Sequence, residues 1–103
     1  GRDTDKIKDM KLHLLPGKAV KVPMLEESPV NIECRVKQTL RLGSHDMYLA
    51  DVVAVHADEA YMDEKWRFFL DKSCPIAYSH GGYYLLGEKL GAFGYSVKKR
   101  RNV

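Results

Sequence analysis

Cysteine is scarce in this 103-residue chain: Cys34 and Cys74 are the only two, far apart and without CxxC spacing. That excludes the disulfide framework of small secreted domains and any cysteine-rich zinc site. The two thiols read as buried side chains of a protein in a reducing compartment, and cytoplasm is the expected location. No run approaches the roughly 20 apolar residues of a helical membrane span. No charged-then-apolar segment of the secretory type opens the sequence. Charge of one sign is also scarce, with 17 basic against 14 acidic residues and a net charge of +3. Four of the positive residues are the consecutive Lys98, Lys99, Arg100 and Arg101. With no basic stripe elsewhere, this run reads as a solvated terminus and not as a nucleic-acid surface.

Recognised catalytic signatures are missing too. There is no GxSxG, no Walker-type loop and no GxGxxG. His13, His45, His56 and His80 stand at no metal-ligand spacing to one another or to the cysteines, so no metal is expected. His56 alternates with its strand neighbours and reads as a packed or edge histidine.

What is present is an ordinary globular composition, 45% hydrophobic and 30% charged, sized for one domain over residues 1–103 with a modest core. Residues 3–15, DTDKIKDMKLHLL, predict a short helix capped by Asp3 or Thr4. Ile7, Met10, Leu14 and Leu15 fall on one face, and Pro16-Gly17 follows as the stop. From Val30 the period changes to two. Ile32, Cys34 and Val36 alternate with polar residues in VNIECRVKQTLRL, which predicts a half-buried strand. MYLADVVAVHA (47–57) predicts a second strand, apolar on both faces, joined to the first as a hairpin by the loop GSHD (43–46). A turn is expected within DEAYMDEKW, then a third strand in WRFFL (66–70) and short strands in CPIAY and YYLL. Few helices and several antiparallel strands predict a mainly β fold, a barrel or a sandwich. The strand count is low for a closed barrel, so a partner chain or a longer protein is expected to complete it.

The segment SHGGYYLLGEKLGAFGYS (79–96) concentrates five of the eight glycines beside aromatic residues and His80. Tyrosines around a glycine pair serve either core packing with a tight turn, or an aromatic wall that a flat ligand approaches closely.

Four stretches together carry a resemblance: GRDTDKIK (1–8), SPVNIECRV (28–36), GSHDMYLADVVAVHAD (43–58) and PIAYSHGGYYLLGEKLGAFGYSV (75–97). In order and spacing they resemble the flavin reductase-like family, the FMN-binding split barrels that include flavoredoxin. The resemblance is to the second half of a typical member. Members carry a further stretch of comparable length before the equivalent of GRDTDK, which supplies the first barrel strands and most contacts to the FMN phosphate. It implies a partial split β-barrel with a short N-terminal helix, FMN as cofactor and NADH or NADPH as reductant. The implied activity is flavin reduction or flavin-mediated electron transfer. A non-enzymatic electron carrier and a fragment active only in assembly stay open as alternatives. Either a homodimer or a chain supplying the other barrel strands is the implied partner.

By the same resemblance Lys6, His45 and Tyr78 act at the flavin and converge on one cleft. Lys6 would stabilise the reduced, anionic ring, His45 would donate a hydrogen bond to the charge that builds on it, and Tyr78 would stand beside it. Gly43, Ser44, His80, Gly81 and Tyr83 would complete the cofactor site. This chain departs from the family at Ser44, where Gly-Asp-His is usual, and at Trp66, where glycine commonly follows DEK.

Overall fold

Asp5 begins the first element. Its backbone is extended and its Oδ1 accepts from the N–H of Lys8 at 3.2 Å, which caps α1 (Lys6–Asp9). The structure is a computed structural model that describes residues 2–97; Gly1 and the basic run at 98–101 lie outside the described residues. α1 is a single turn, shorter than the helix predicted over 3–15. Lys11 adopts a φ of 54°, the N–H of Leu12 reaches the Ile7 carbonyl at 2.9 Å and that of Lys11 reaches Lys8 at 3.2 Å. These are the paired bonds of a Schellman closure, with lysine where glycine is usual. Met10, on the expected apolar face, is 68% exposed, so no packing rewards a longer helix. Leu14 and Leu15 instead form β1 (Leu14–Leu15), antiparallel to β2 (Met24–Leu25).

The hairpin follows the alternating pattern. β3 (Val30–Arg41) pairs antiparallel with β4 (Asp46–Ala57). The loop runs one residue earlier than expected, 42–45, and closes through the Leu42 N–H to the His45 carbonyl at 3.0 Å. Two bulges interrupt the register: Val53 is the extra residue on β4, and Lys37 the extra residue on β3. The first lets Val52 and Val55, three apart in sequence, stand opposite Cys34 and Ile32 on one face.

Which face is covered reverses the sequence expectation. Ile32 and Val36 are each 57% exposed and Cys34 is exposed, whereas Glu33 between them is only 4% exposed. The polar side of β3 is the covered one because its side chains fasten the segment that precedes it. Asn31 accepts from the Leu25 N–H at 3.0 Å and donates to the Leu25 carbonyl at 2.9 Å, as a paired strand would. Glu33 Oε1 accepts from the N–H groups of Ala19 and Val20 at 2.8 and 3.0 Å, and its Oε2 lies 2.5 Å from His56 Nε2. The His56 hydrogen bond is the largest influence on this carboxyl. Burial opposes it, the N–H groups of Val20, Ala19 and Lys18 reinforce it, and the pKa is held down to about 2. His56 is thus a packed histidine, as its alternation suggests. Among the described residues no apolar side chain is fully buried.

WRFFL is not a strand. Asp63 gathers the chain into a tight turn: its Oδ1 accepts from the N–H groups of Lys65 and Arg67, both at 2.9 Å, and Oδ2 accepts from Arg67 Nε at 2.8 Å. Only an isolated bridge, Met62 to Phe68, remains of strand pairing there. Trp66 sits at the turn with φ 62°, 73% exposed, at the position where a glycine would carry no strain.

The chain divides into two compact units, one ending at Phe69 and the other beginning at Leu70. The second contains the hairpin of β5 (Ile76–Ser79) and β6 (Gly82–Leu85), which matches the two short strands expected. Cys34 and Cys74 are unpaired, as expected, but both are exposed and not buried.

Two measurements test the account of Glu33. A Cβ at Gly17 would lie within 3.0 Å of the carbonyl oxygens of Val20 and Val22 and of Glu33 Oε1. Gly17→Ala is therefore expected to destabilise the first unit by about 1–3 kcal/mol in denaturant unfolding. Because the folded pKa of Glu33, about 2, lies below its ordinary 4.5, its stabilisation is present above pH 4.5 and is lost as pH falls toward 2. Glu33→Gln should lower the melting temperature at neutral pH and flatten its decline across that acid window.

Candidate functional site

Both hairpin tips carry a histidine, and the local chemistry differs between them. At the β3–β4 tip, Gly43 takes a φ of 95° and turns the chain so that Ser44 and His45 stand exposed beyond the last pair. Ser44 Oγ lies 2.8 Å from His45 Nδ1. The serine hydroxyl can donate to Nδ1 or accept from it; in the tautomer where it donates, Nε2 carries the ring proton and is left as an N–H donor. Serine at the usual position of an acid thus still orients the imidazole, without adding a negative charge beside it.

At the β5–β6 tip the loop is two residues, His80 and Gly81, with φ values of 45° and 85°. Positive φ at both central residues is the pattern of a type I′ hairpin turn, whose twist suits antiparallel strands. The concentration of glycine and aromatic residues noted in the sequence is here first a turn. Tyr78 and Tyr83 are cross-strand partners on one face, their rings edge to face at 5.3 Å and 67°, and are 68% and 73% exposed. Among the described residues these two rings pack into no aromatic core and present a bare face.

Lys6 begins α1 and is exposed. A four-residue helix has too little dipole to make a lysine at its start unfavourable, so its place there needs no functional explanation. No hydrogen bond or ion pair joins Lys6 to His45, both of the first unit; Tyr78 belongs to the second. Nor do Lys6 or His45 line an open cavity of about 250 Å³ in the first unit, which is formed by Val20, Val22, Pro23, Met24 and Asn31 to Cys34.

Sequence spacing missed two constellations. One is Glu33 with His56. The other joins His13 to Glu26 and Glu27 across the β1–β2 pair: His13 Nδ1 lies 2.5 Å from Glu27 Oε1 and 3.9 Å from Glu26 Oε2. The hydrogen bond with Glu27 raises the His13 pKa. For Glu27 itself, burial pushes up but is outweighed by the bonds from His13, so its pKa is lowered. The signal available was the symmetric placement of His13 and Glu26 just outside two Leu-containing strands. It becomes readable only once those strands are known to pair.

Residues 1–87 match the family model described as "Flavin reductase like domain". Among curated proteins, an uncharacterized protein of Pyrococcus abyssi is 40% identical over 57 residues, 54% of this chain and 33% of its own length. The uncharacterized protein YwrF of Bacillus subtilis is 30% identical over 95 residues, 84% of this chain and 46% of its own. Among solved structures, the flavoredoxin of Desulfovibrio vulgaris (Miyazaki F) superposes with a TM-score of 0.79 at 24% identity. That likeness covers 95% of this chain and 53% of the flavoredoxin. Component B of nitrilotriacetate monooxygenase from Bacillus cereus gives 0.71 at 23% identity over 84% of this chain and 47% of its own. The mainly β fold is thus that of the flavin reductase-like split barrels, and the chain spans less than half the length of the curated relatives it matches.

The two tips can be told apart by substitution. Gly81→Ala is expected to destabilise the β5–β6 hairpin by about 1–2 kcal/mol, the cost of a left-handed backbone for an L-residue. His80→Gly removes a similar strain and should be stabilising or neutral in thermal melts. A loss of flavin affinity in His80→Gly, measured by quenching of flavin fluorescence, would mark the imidazole as a ligand group beyond its place in the turn.

Proposed function

The chain belongs to the flavin reductase like family, and from that membership we propose that it binds FMN and serves flavin reduction by NADH or NADPH, or flavin-mediated electron transfer. The observation that carries this reading is the family match over residues 1–87. This reading gives the ring end of the cofactor to side chains whose chemistry suits it. Lys6 is an exposed cation, His45 presents a hydrogen-bond donor oriented by Ser44, and Tyr78 with Tyr83 offers an exposed aromatic face. FMN, when bound, supplies the redox chemistry, and the protein contributes position and electrostatics.

In this reading Lys6 places a positive charge, and His45 an Nε2–H donor, where negative charge develops in reduction. Such fixed donors stabilise that charge without reorganising at the moment of reaction. Tyr78 and Tyr83 hold the flat ring by stacking or edge contact, and Gly43 and Gly81 let the backbone approach it. No side chain is required as a covalent nucleophile. The whole of residues 1–103 is read as one flavin reductase-like domain whose bare strip of Ile32, Val36, Val52 and Val55 is covered by another polypeptide. That polypeptide is a second copy of the chain or one supplying further barrel strands.

Titration with FMN, followed by NADH or NADPH oxidation under anaerobic conditions, tests the reading, with light scattering for the assembly. Lys6→Ala and His45→Ala are each expected to slow hydride transfer while leaving the melting temperature in place. A fully preorganised donor is worth about 2.7–4 kcal/mol, and these exposed ones should lie below that ceiling. FMN bound without nicotinamide oxidation identifies an electron carrier. Absence of FMN binding in the assembled protein overturns the flavin reading and leaves assembly as the role.

A further inference from the structure

We infer that His13, Glu26 and Glu27 form a binding site for one divalent metal ion of the zinc type, separate from any flavin chemistry. The three residues offer one imidazole nitrogen and two carboxylate oxygens, all within 4.8 Å of one another. Backbone bonds set their positions. The Glu26 N–H donates to the His13 carbonyl at 2.9 Å, and the His13 N–H donates to both Glu27 oxygens at 2.8 and 3.1 Å. The β1–β2 pair therefore fixes where the donors start, and only the ends of the side chains are free.

His13 Nδ1 and Glu26 Oε2 are 3.9 Å apart, an ion-pair distance too long for a hydrogen bond. Two ligands of a tetrahedral zinc with bonds of about 2.0–2.2 Å stand about 3.3–3.6 Å apart, so a shift of a few tenths of an ångström by these exposed side chains brings them to ligand spacing. No other ion pair and no hydrogen bond engages the Glu26 carboxylate, so its acceptor capacity toward His13 is unspent. The Glu27 contact, at 2.5 Å, holds a hydrogen where the ion would sit. It must open as the metal replaces that hydrogen, which exposed side chains allow. Ion and proton compete for Nδ1, so binding releases a proton. One nitrogen and two carboxylate oxygens suit zinc, cobalt or nickel better than calcium or magnesium, which favour all-oxygen shells. With three protein ligands and open solvent, the fourth position belongs to water. Bound there, the ion would clamp the residues flanking β1 to those flanking β2.

The test is zinc titration of the metal-free protein, without a polyhistidine tag and with Cys34→Ser and Cys74→Ser to remove the exposed thiols. One equivalent of zinc should bind, and cobalt should give the intense visible bands of a four-coordinate site. His13→Ala should weaken binding by about tenfold or more, since even an outer-shell change costs that much. Glu26→Gln removes no hydrogen bond, so its fold is kept, and it should weaken zinc by a similar factor with an unchanged melting temperature in metal-free buffer. Unchanged zinc affinity in Glu26→Gln, or binding of less than one equivalent by the parent, would overturn the site and leave a surface ion pair. Neither result bears on flavin binding, which is read separately.

Discussion

A buried carboxylate has to be met on every side, and in this chain that requirement falls on Glu33. An ionised group removed from water is tolerated only when donors replace the water it loses. Two backbone N–H groups of the 17–22 segment and the imidazole of His56 do so. Because those N–H groups belong to a stretch with no strand or helix of its own, the carboxylate decides where that stretch lies. Asn31, two residues earlier on the same side of β3, does the same for Leu25 through both its amide atoms. Gly17 is held to glycine by the closeness of this packing. The β1–β2 pair, and with it the meeting of His13 with Glu26 and Glu27, follows from the same fastening.

Covering the polar side of β3 leaves the apolar side of the hairpin bare. The bulge at Val53 keeps Ile32 and Cys34 opposite Val55 and Val52 along that side despite uneven spacing in β4. A strand pair that fastens its polar face with its own chain and leaves an apolar strip in solvent behaves as one layer of a larger core. The matched stretches are only 33% and 46% of the lengths of the two curated relatives, which accords with such a layer being packed in them by further chain. Hydrophobic burial is thus left undone among the described residues, whereas their buried polar side-chain atoms are already satisfied: no described side-chain donor or acceptor is buried without a partner.

Two of the histidines proposed for flavin handling stand at turns where backbone geometry is demanding. His45 lies two residues after the left-handed Gly43, and His80 is itself left-handed. Strain at a functional residue is familiar, but at His80 the turn type explains it without reference to a ligand. At His45 the backbone explains less and the side chain more, since Ser44 fixes the face the imidazole presents. Trp66 is a third such place. A large ring is held in solvent on a turn closed by Asp63, and no contact within the described residues accounts for its being tryptophan.

Local and periodic features were legible in the sequence. The change of period at Val30 identified the long hairpin, because alternation is imposed by the pleat itself, and the glycine pair marked the second. Four separated motifs carried the family resemblance, the first on the cap and start of α1 and the other three on strands and their turns. What the sequence misjudged depended on partners remote along the chain. The 3–15 helix had the right period but nothing to pack against, so a Schellman closure ended it after one turn. WRFFL had strand composition, but Asp63 upstream offered three hydrogen bonds to a turn. The covered face of β3 was assigned to Ile32, Cys34 and Val36 on hydrophobicity, whereas the tertiary structure covers Asn31 and Glu33. The physical reason is that alternation shows that a strand has two faces, but only the segment laid across it, here drawn in by a carboxylate, decides which one is buried.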